Sequence, residues 1–322
     1  MGNFAVDWAD IEAAAQRIQP WVFCTAITEL SELPGNSALS VRVKCENQQR
    51  GFAFKARGAC NAVMKLDFEQ AARGVVTHSS GNHAAALAWA ARQRQIAAHI
   101  VMPQNSAGIK LNAVRRLGVE PILCGPRGED RSAAAARVQE QTGAVFIHPF
   151  DHPDVIAGQG TVAVEILRQC PDVDTLIVPV GGGGLLAGTL LAVKTLRPDV
   201  KVYAAEPQLA DDAYRSLRSG QIEPVLRTDS VADGLRTSVG ELTFPIIQRY
   251  VEDILCVSEQ SILDSVSTLA RTARLIAEPS GVVSLAALQE HPQIFAGQRV
   301  VAILSGGNLD RMDLLPSELQ WS

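Results

Sequence analysis

The strongest constraint on this chain is the run Leu176-Ile177-Val178-Pro179-Val180 followed by Gly181-Gly182-Gly183-Gly184. A short apolar, β-branched run bounded by turn residues reads as a buried strand. Leu185 to Leu196, just behind it, is apolar and rich in helix formers. The glycines therefore sit between a strand and a helix N-terminus. Residues without a Cβ can turn sharply and aim successive N–H groups at one spot. A helix start behind them adds about half a positive charge. Such a cup suits a phosphate. The plain alternative is a tight turn, for which one or two glycines suffice.

The identity of the phosphate is not fixed by the run itself. The nucleotide-binding pattern G-x-x-x-x-G-K-[ST] is absent, because Leu185 and Leu186 follow Gly184. Gly182, Gly184 and Ala187 do fit the looser dinucleotide pattern G-x-G-x-x-A, and Glu206 ends the next strand-like run, Val200 to Ala205. An NAD-binding oxidoreductase is thus one reading of this segment.

With 322 residues, 47% hydrophobic and 20% charged, the chain can bury a large core and has room for about two domains. Its net charge of -5 argues against a nucleic-acid surface. The six cysteines form no C-x-x-C pair and no cluster with histidines at metal spacing. The first twelve residues carry Asp7, Asp10 and Glu12 and lack the apolar core of a secretory signal. A reducing cytoplasm is expected. Thr175 to Val193 carries no charge, but Pro179 and the glycines interrupt it. A membrane span needs about 20 predominantly apolar residues, so no membrane segment is expected.

Taken in order, residues 5–20 read as a helix closed by Pro20, and Ala38 to Cys45 alternates like a strand. Lys55 then stands among apolar neighbours in Gly51-Phe52-Ala53-Phe54-Lys55. Desolvation favours the neutral amine, the form that condenses with an aldehyde. The alternative is a lysine whose stem lies on apolar surface and whose head reaches water. Gly74 to Thr77 is a strand, Ser79-Ser80-Gly81-Asn82-His83 its loop, and Ala84 to Arg92 a helix. Such a polar loop at a helix start can hold a carboxylate, or Ser80 or Asn82 can simply cap the helix.

Strands at 99–102, 120–124 and 145–148 alternate with helices at 110–117 and 132–142, and Gly143 suits a helix C-terminus. This alternation implies a parallel sheet. Gly158-Gln159-Gly160-Thr161 is expected to open a helix running to about Gln169. Glu206, the Ala210 carbonyl and Asp212 offer oxygen ligands only, which suits Mg²⁺ or Ca²⁺; alternatively the aspartates cap a helix over 213–218. Arg299 to Leu304 is a last strand, with Ser305-Gly306-Gly307-Asn308 as its turn. In parallel sheets ligands bind beyond the carboxyl ends of strands. The 79–83 loop, the glycine cup, Glu206 and Ser305 all take that position, which points to one site.

Five segments in this order, Phe54-Lys55-x-Arg57-Gly58-Ala59, Ser79 to His83, Gly181 to Gly184, Ala205-Glu206-Pro207 and Ser305 to Asn308, resemble fold-type II pyridoxal-phosphate (PLP) enzymes, specifically the serine racemase and serine/threonine dehydratase family. The resemblance covers nearly the whole chain and displaces the NAD reading. It implies a tryptophan synthase β-like α/β fold, with a small mobile domain over 67–149 and a large PLP-holding domain made of 1–66 and 150–322. It implies that Lys55 holds PLP as a Schiff base and acts as the base on one face. The glycine cup would bind the phosphate, Asn82 the ring hydroxyl and Ser305 the pyridine nitrogen, with Phe54 on the ring. Ser79, Ser80, Asn82 and His83 would line the substrate carboxylate, with Arg131 near the substrate. Ser80 stands where a racemase needs its second acid. Glu206, Ala210 and Asp212 match the family's divalent-metal site, and a homodimer is expected.

The expected reaction is dehydration of L-serine and L-threonine to a keto acid and ammonia, with serine racemization sharing the same site. A 3-hydroxyaspartate dehydratase is the rival enzyme, and a non-catalytic binding protein the rival of another class. One departure concerns the residues before Phe54-Lys55. The family has a glycine and then Ser or Ala; this chain has Phe52-Ala53, so extra bulk is expected beside the lysine. The chain also ends soon after the last glycine loop, so no amino-acid-binding regulatory domain is expected.

Overall fold

The computed structural model describes residues 4–30 and 40–319. Among the described residues, ten strands form two sheets. The strands are β1 (Ile27–Leu30), β2 (Ser40–Lys44), β3 (Val75–His78), β4 (Ala98–Pro103), β5 (Ile122–Cys124), β6 (Val145–Phe146), β7 (Thr175–Pro179), β8 (Lys201–Pro207), β9 (Ile254–Val257) and β10 (Arg299–Ile303). The larger sheet runs β1-β2-β10-β7-β8-β9 and is parallel except for the β1–β2 pair. The smaller runs β5-β4-β3-β6, parallel throughout. Helices flank both, as expected of an α/β fold.

Strand β7 is continuously apolar because both its faces are covered. Leu176 and Val178 join the core beneath the helices Trp8–Ile18, Pro153–Gln169 and Gly184–Leu196. Ile177 faces the opposite core, formed with Leu285, Leu288 and Phe295. The smaller sheet packs Val75, Ile100 and Met102 against Ala84, Leu87 and Ala91 of the helix Asn82–Arg94. Ala59, Ala62 and Val63 of the helix Lys55–Lys65 belong to that same core.

Several expectations are corrected here. Gly158 and Gly160 do not open a helix: it begins at Pro153, capped by His152, and both glycines lie inside it. A Cβ on Gly158 would overlap Gly58 Cα and the Arg57 carbonyl, and one on Gly160 would overlap the Gly188 carbonyl. The glycines therefore let three helices meet backbone to backbone. The expected strand over 38–45 begins among residues outside the described set and is seen as β2. The first helix starts at Trp8, where Asp7 and Asp10 form a reciprocal cap. The stretch 220–298 adds β9 and the helices Phe244–Tyr250, Glu259–Ala273 and Val283–Glu290.

Phe52 has φ +57°, a left-handed conformation that glycine adopts readily and an L side chain resists. A glycine would take this conformation at lower cost. Phe52 is held there because its carbonyl accepts the Gly307 N–H at 2.8 Å. Its ring is 62% exposed, so the bulk expected beside Lys55 is directed largely to solvent.

Candidate active site

Lys55 is the first residue of its helix. The preceding Phe54 N–H donates to the Ser305 carbonyl at 3.1 Å, and Ala53 bridges Gly306. The 53–55 segment is thus tied to the turn after β10. The Lys55 ammonium donates to the Pro149 carbonyl at 2.8 Å and lies 5.1 Å from the Phe54 ring centroid. Burial pulls its pKa down to about 8, although part of the side chain still meets solvent. The amine is therefore packed in the interior rather than reaching out along a surface.

The cup follows β7. Gly183 has φ +86° and is the N-cap of the helix Gly184–Leu196. The Gly182 carbonyl accepts from Thr243 Oγ1 at 2.8 Å and the Gly240 N–H at 3.3 Å, which fixes the turn. Phe150 lies so close that a Cβ on Gly182 would overlap its ring. Among the described residues, the amides of Gly181 to Gly184 donate to no protein acceptor. Four buried donors at a helix start, with no protein partner, are a fit for the phosphate of PLP. Lys55 and the cup meet through one dipeptide: Pro149 receives the amine and Phe150 packs on the glycines. That places them on the order of 10 Å apart, within one small cofactor's span.

Strand β3 delivers the polar loop. The helix N-cap is Gly81, so neither Ser80 nor Asn82 caps it, contrary to the simpler expectation. The Ser79 hydroxyl accepts the Gly81 N–H at 3.4 Å. Among the described residues, the Ser80 hydroxyl has no protein partner. Asn82 Nδ2 donates to Glu278 Oε1 at 2.6 Å, and Asn82 Oδ1 accepts from Asn308 Nδ2 at 2.9 Å. His83 is fully buried, with no standard hydrogen bond at either ring nitrogen. Burial and then the Lys55 charge hold it neutral, well below the usual histidine range. Ser305 is buried and its hydroxyl donates weakly to the Ser280 carbonyl at 3.3 Å.

Arg131, on the helix Gly128–Thr142, has a buried Nε without a hydrogen bond. After burial, its charge is the next cause of the lowered His78 pKa. His78 directly precedes the 79–83 loop and stands 5.8 Å, centroid to centroid, from His148. The His148 Nδ1 accepts the Asp151 N–H at 2.9 Å, and burial lowers its pKa to about 4. It is a neutral imidazole at pH 7 with its proton on Nε2.

The acidic cluster follows β8. Glu206 Oε1 and Oε2 accept the Ala213 and Tyr214 N–H groups, each at 2.8 Å. It is Glu206, not Asp211 or Asp212, that caps the helix Asp212–Ser219. Both carboxylate oxygens of the buried Asp212 lack a standard hydrogen bond. Burial, then Asp212, pushes Glu206 well up, and burial pushes Asp212 to about 7. The Glu206 side chain is turned toward the helix Asp212–Ser219. The reason is strand alternation: Glu206 shares its face with Val202 and Ala204 and meets the helix after β8. Two buried carboxyls, the one raised by the other, fit a divalent ion.

Sequence reasoning passed over His148, Pro149, Phe150 and Glu278. The first three follow β6 at its carboxyl end, the same signal that exposed the other loops. Glu278 carries no local signal.

The pyridoxal-phosphate dependent enzyme family matches residues 18–306. A beta-hydroxyaspartate dehydratase of Paracoccus denitrificans (strain Pd 1222) is 43% identical, covering 96% of this chain and 98% of that protein. Maize serine racemase superposes with TM-score 0.94 at 40% identity, covering 97% of this chain and 96% of that one. The T.th. threonine deaminase gives TM-score 0.90 at 39% identity, covering 94% of this chain and 99% of that one.

Proposed function

The chain belongs to the pyridoxal-phosphate dependent enzyme family, and from that membership we propose that it releases keto acid and ammonia from L-serine and L-threonine and racemizes serine at the same site. The observation that carries the reading is the desolvated Lys55 amine joined through Pro149-Phe150 to a cup of free amides. Bound PLP supplies an electron sink for the pair left when the α-proton departs.

The residues of the chain do the rest. Gly181 to Gly184 bind the phosphate, Phe54 packs on the ring, Asn82 meets its oxygen and Ser305 its nitrogen. Lys55 takes the α-proton on one face, and Ser80 gives or takes a proton on the other. Ser79, Ser80, His83 and the main-chain N–H of Asn82 line the substrate carboxylate, and Arg131 stands near the substrate. His83 lies beside Lys55 as a neutral imidazole with the Ile147 carbonyl as a weak acceptor, so it lines the pocket without adding charge. Residues 67–149 act as the small domain closing over 1–66 and 150–322, which excludes water.

A panel of L-serine, L-threonine and 3-hydroxyaspartate, assayed for keto acid and for D-serine, tests this reading. Keto acid from serine or threonine together with D-serine supports it; release from 3-hydroxyaspartate alone overturns it in favour of the rival dehydratase. That rival is favoured by Arg131, whose unpartnered Nε beside His78 offers a cation for a second carboxylate, and by the likeness to the Paracoccus enzyme. Ser80→Ala is expected to cut D-serine formation at least about tenfold while leaving pyruvate release from L-serine within roughly threefold. Equal losses on both assays would remove Ser80 from the second face.

Glu206, the Ala210 carbonyl and Asp212 are proposed to hold Mg²⁺ or Ca²⁺. The burial of both carboxyls supports it, with Asp212 held only by weak contacts to its own N–H and that of Val239. Chelation is expected to lower Tm by several degrees, with recovery on adding either ion. An unchanged Tm after verified metal removal counts against the site. No described helix is long and apolar enough to cross a membrane. A cytoplasmic homodimer completes the reading, and sedimentation reads its mass.

A further inference from the structure

We propose that Glu278 is a positioning residue: its carboxylate fixes the Asn82 side-chain amide so that one N–H remains free for the ring oxygen of the cofactor. The proposal rests on the PLP reading above. A primary amide has two N–H donors and one acceptor oxygen. The oxygen of Asn82 is taken by Asn308 Nδ2 at 2.9 Å. Asn308 is itself oriented, because its Nδ2 also donates to the Gly51 carbonyl at 2.8 Å, a group that can only accept. One N–H of Asn82 goes to Glu278 Oε1 at 2.6 Å. The other is left over. Anchored only by Asn308, the amide could swing about χ2, a broad torsion. Two anchors at opposite ends fix its plane.

Glu278 is poorly explained as a structural residue. It is buried, and a Cβ on Gly306 would overlap its carboxylate. Among the described residues its carboxylate makes no ion pair and accepts only from Asn82. A buried acid with one partner costs stability, and an apolar side chain of similar size would fill the place at lower cost. The charged groups facing it are Lys110 from the helix Gly108–Arg115, Asp233 from the turn Asp233–Leu235, and Asp310 after the 305–308 turn. Burial pushes it up to about 7, the Asn82 hydrogen bond pulls it back, Asp233 raises it, Lys110 lowers it and Asp310 raises it. The carboxyl thus changes charge near neutral pH, and its grip on Asn82 is strongest when ionised.

The test is a double-mutant cycle read by the dissociation constant of PLP from the protein, measured by equilibrium dialysis of apo-protein and by visible absorbance. Glu278→Leu is expected to weaken binding about tenfold, and Asn82→Ala by a similar factor. Glu278→Leu placed on Asn82→Ala should add less than about twofold, because Glu278 acts only through that amide. Glu278→Gln retains an acceptor and should stay within roughly threefold of wild type at pH 7. Its constant relative to wild type should change between about pH 6 and 8.5 as the native carboxyl ionises. Additive losses overturn the proposal, and so does a Gln variant as weak as Leu. Should the Leu variant fail to fold, a Gln-to-wild-type ratio flat across that pH range overturns it as well. If wild-type protein takes up no PLP, the cofactor reading itself falls. Uptake by wild type with an additive cycle refutes Glu278 alone.

Discussion

Lys55→Ala is expected to abolish keto-acid release and D-serine formation together, by about four orders of magnitude or more, and to leave the purified protein colourless. One amine is assigned both tasks, tethering the cofactor and moving the α-proton, so no residual route is available to either product. The environment of the amine adds a second, graded expectation. With a pKa near 8 instead of the ordinary 10.5, about a tenth of it is neutral at pH 7, on the order of 300-fold more than for a solvated lysine. Uptake of PLP by apo-protein should accelerate as pH rises from about 6 to 8 and then level off. A rate climbing steadily beyond about pH 9 would show a solvated lysine. A Lys55→Ala protein that remains yellow and turns over serine would end the assignment outright.

The parts of this site legible in the sequence are those whose chemistry is local. The glycine cup announced itself because a strand, four glycines and an apolar helix are consecutive, and the 79–83 loop followed the same plan. The helix glycines misled, because Gly158 and Gly160 answer to Gly58 and Gly188, which are remote in sequence. A glycine needed for close approach looks the same as one needed for a turn until the neighbour is in place. The capping residues misled for a similar reason. Asp211 and Asp212 stand where a cap is expected, yet Glu206 from the end of β8 reaches the free amides of the helix first. Glu278 was invisible: its burial and its Asn82 partner are decided by contacts across 196 positions. Phe52 is the reverse case. Its departure from glycine was plain in the sequence, but only the backbone shows that the cost is a left-handed φ and not a crowded pocket.

Two residues beyond Lys55, Arg57→Ala is expected to produce the largest loss of stability. Its guanidinium is fully buried and grips Glu46 through Nε at 2.8 Å and Nη2 at 2.7 Å. It also holds Glu165 through Nη1 at 2.7 Å and Nη2 at 2.8 Å. Lys44 completes the network, donating to Glu165 at 2.6 Å, so two cations balance two anions. Truncation leaves Glu46 with a buried charge whose remaining side-chain partner is the Thr25 hydroxyl at 2.6 Å. Breaking a buried ion pair in this one-sided way costs about 3–5 kcal/mol. A fall in Tm on the order of 10 °C follows. Arg57→Ala with Glu46→Gln should recover part of the loss, since the stranded charge is then gone. The same network sets an acid limb. Burial raises the Glu165 pKa, but Arg57 and Lys44 outweigh it, and the net value lies below the ordinary 4.5. A carboxyl lowered on folding contributes stability that is present above its unfolded pKa and is lost as pH falls through the folded one. Wild type should therefore weaken below about pH 4.5 more steeply than Arg57→Ala. Calorimetry across that range decides it: an Arg57→Ala protein within about 1 kcal/mol of wild type at pH 7 would mean the network is stabilised by something other than this guanidinium, and that the helix carrying Lys55 is anchored mainly by the Gly58–Gly158 contact.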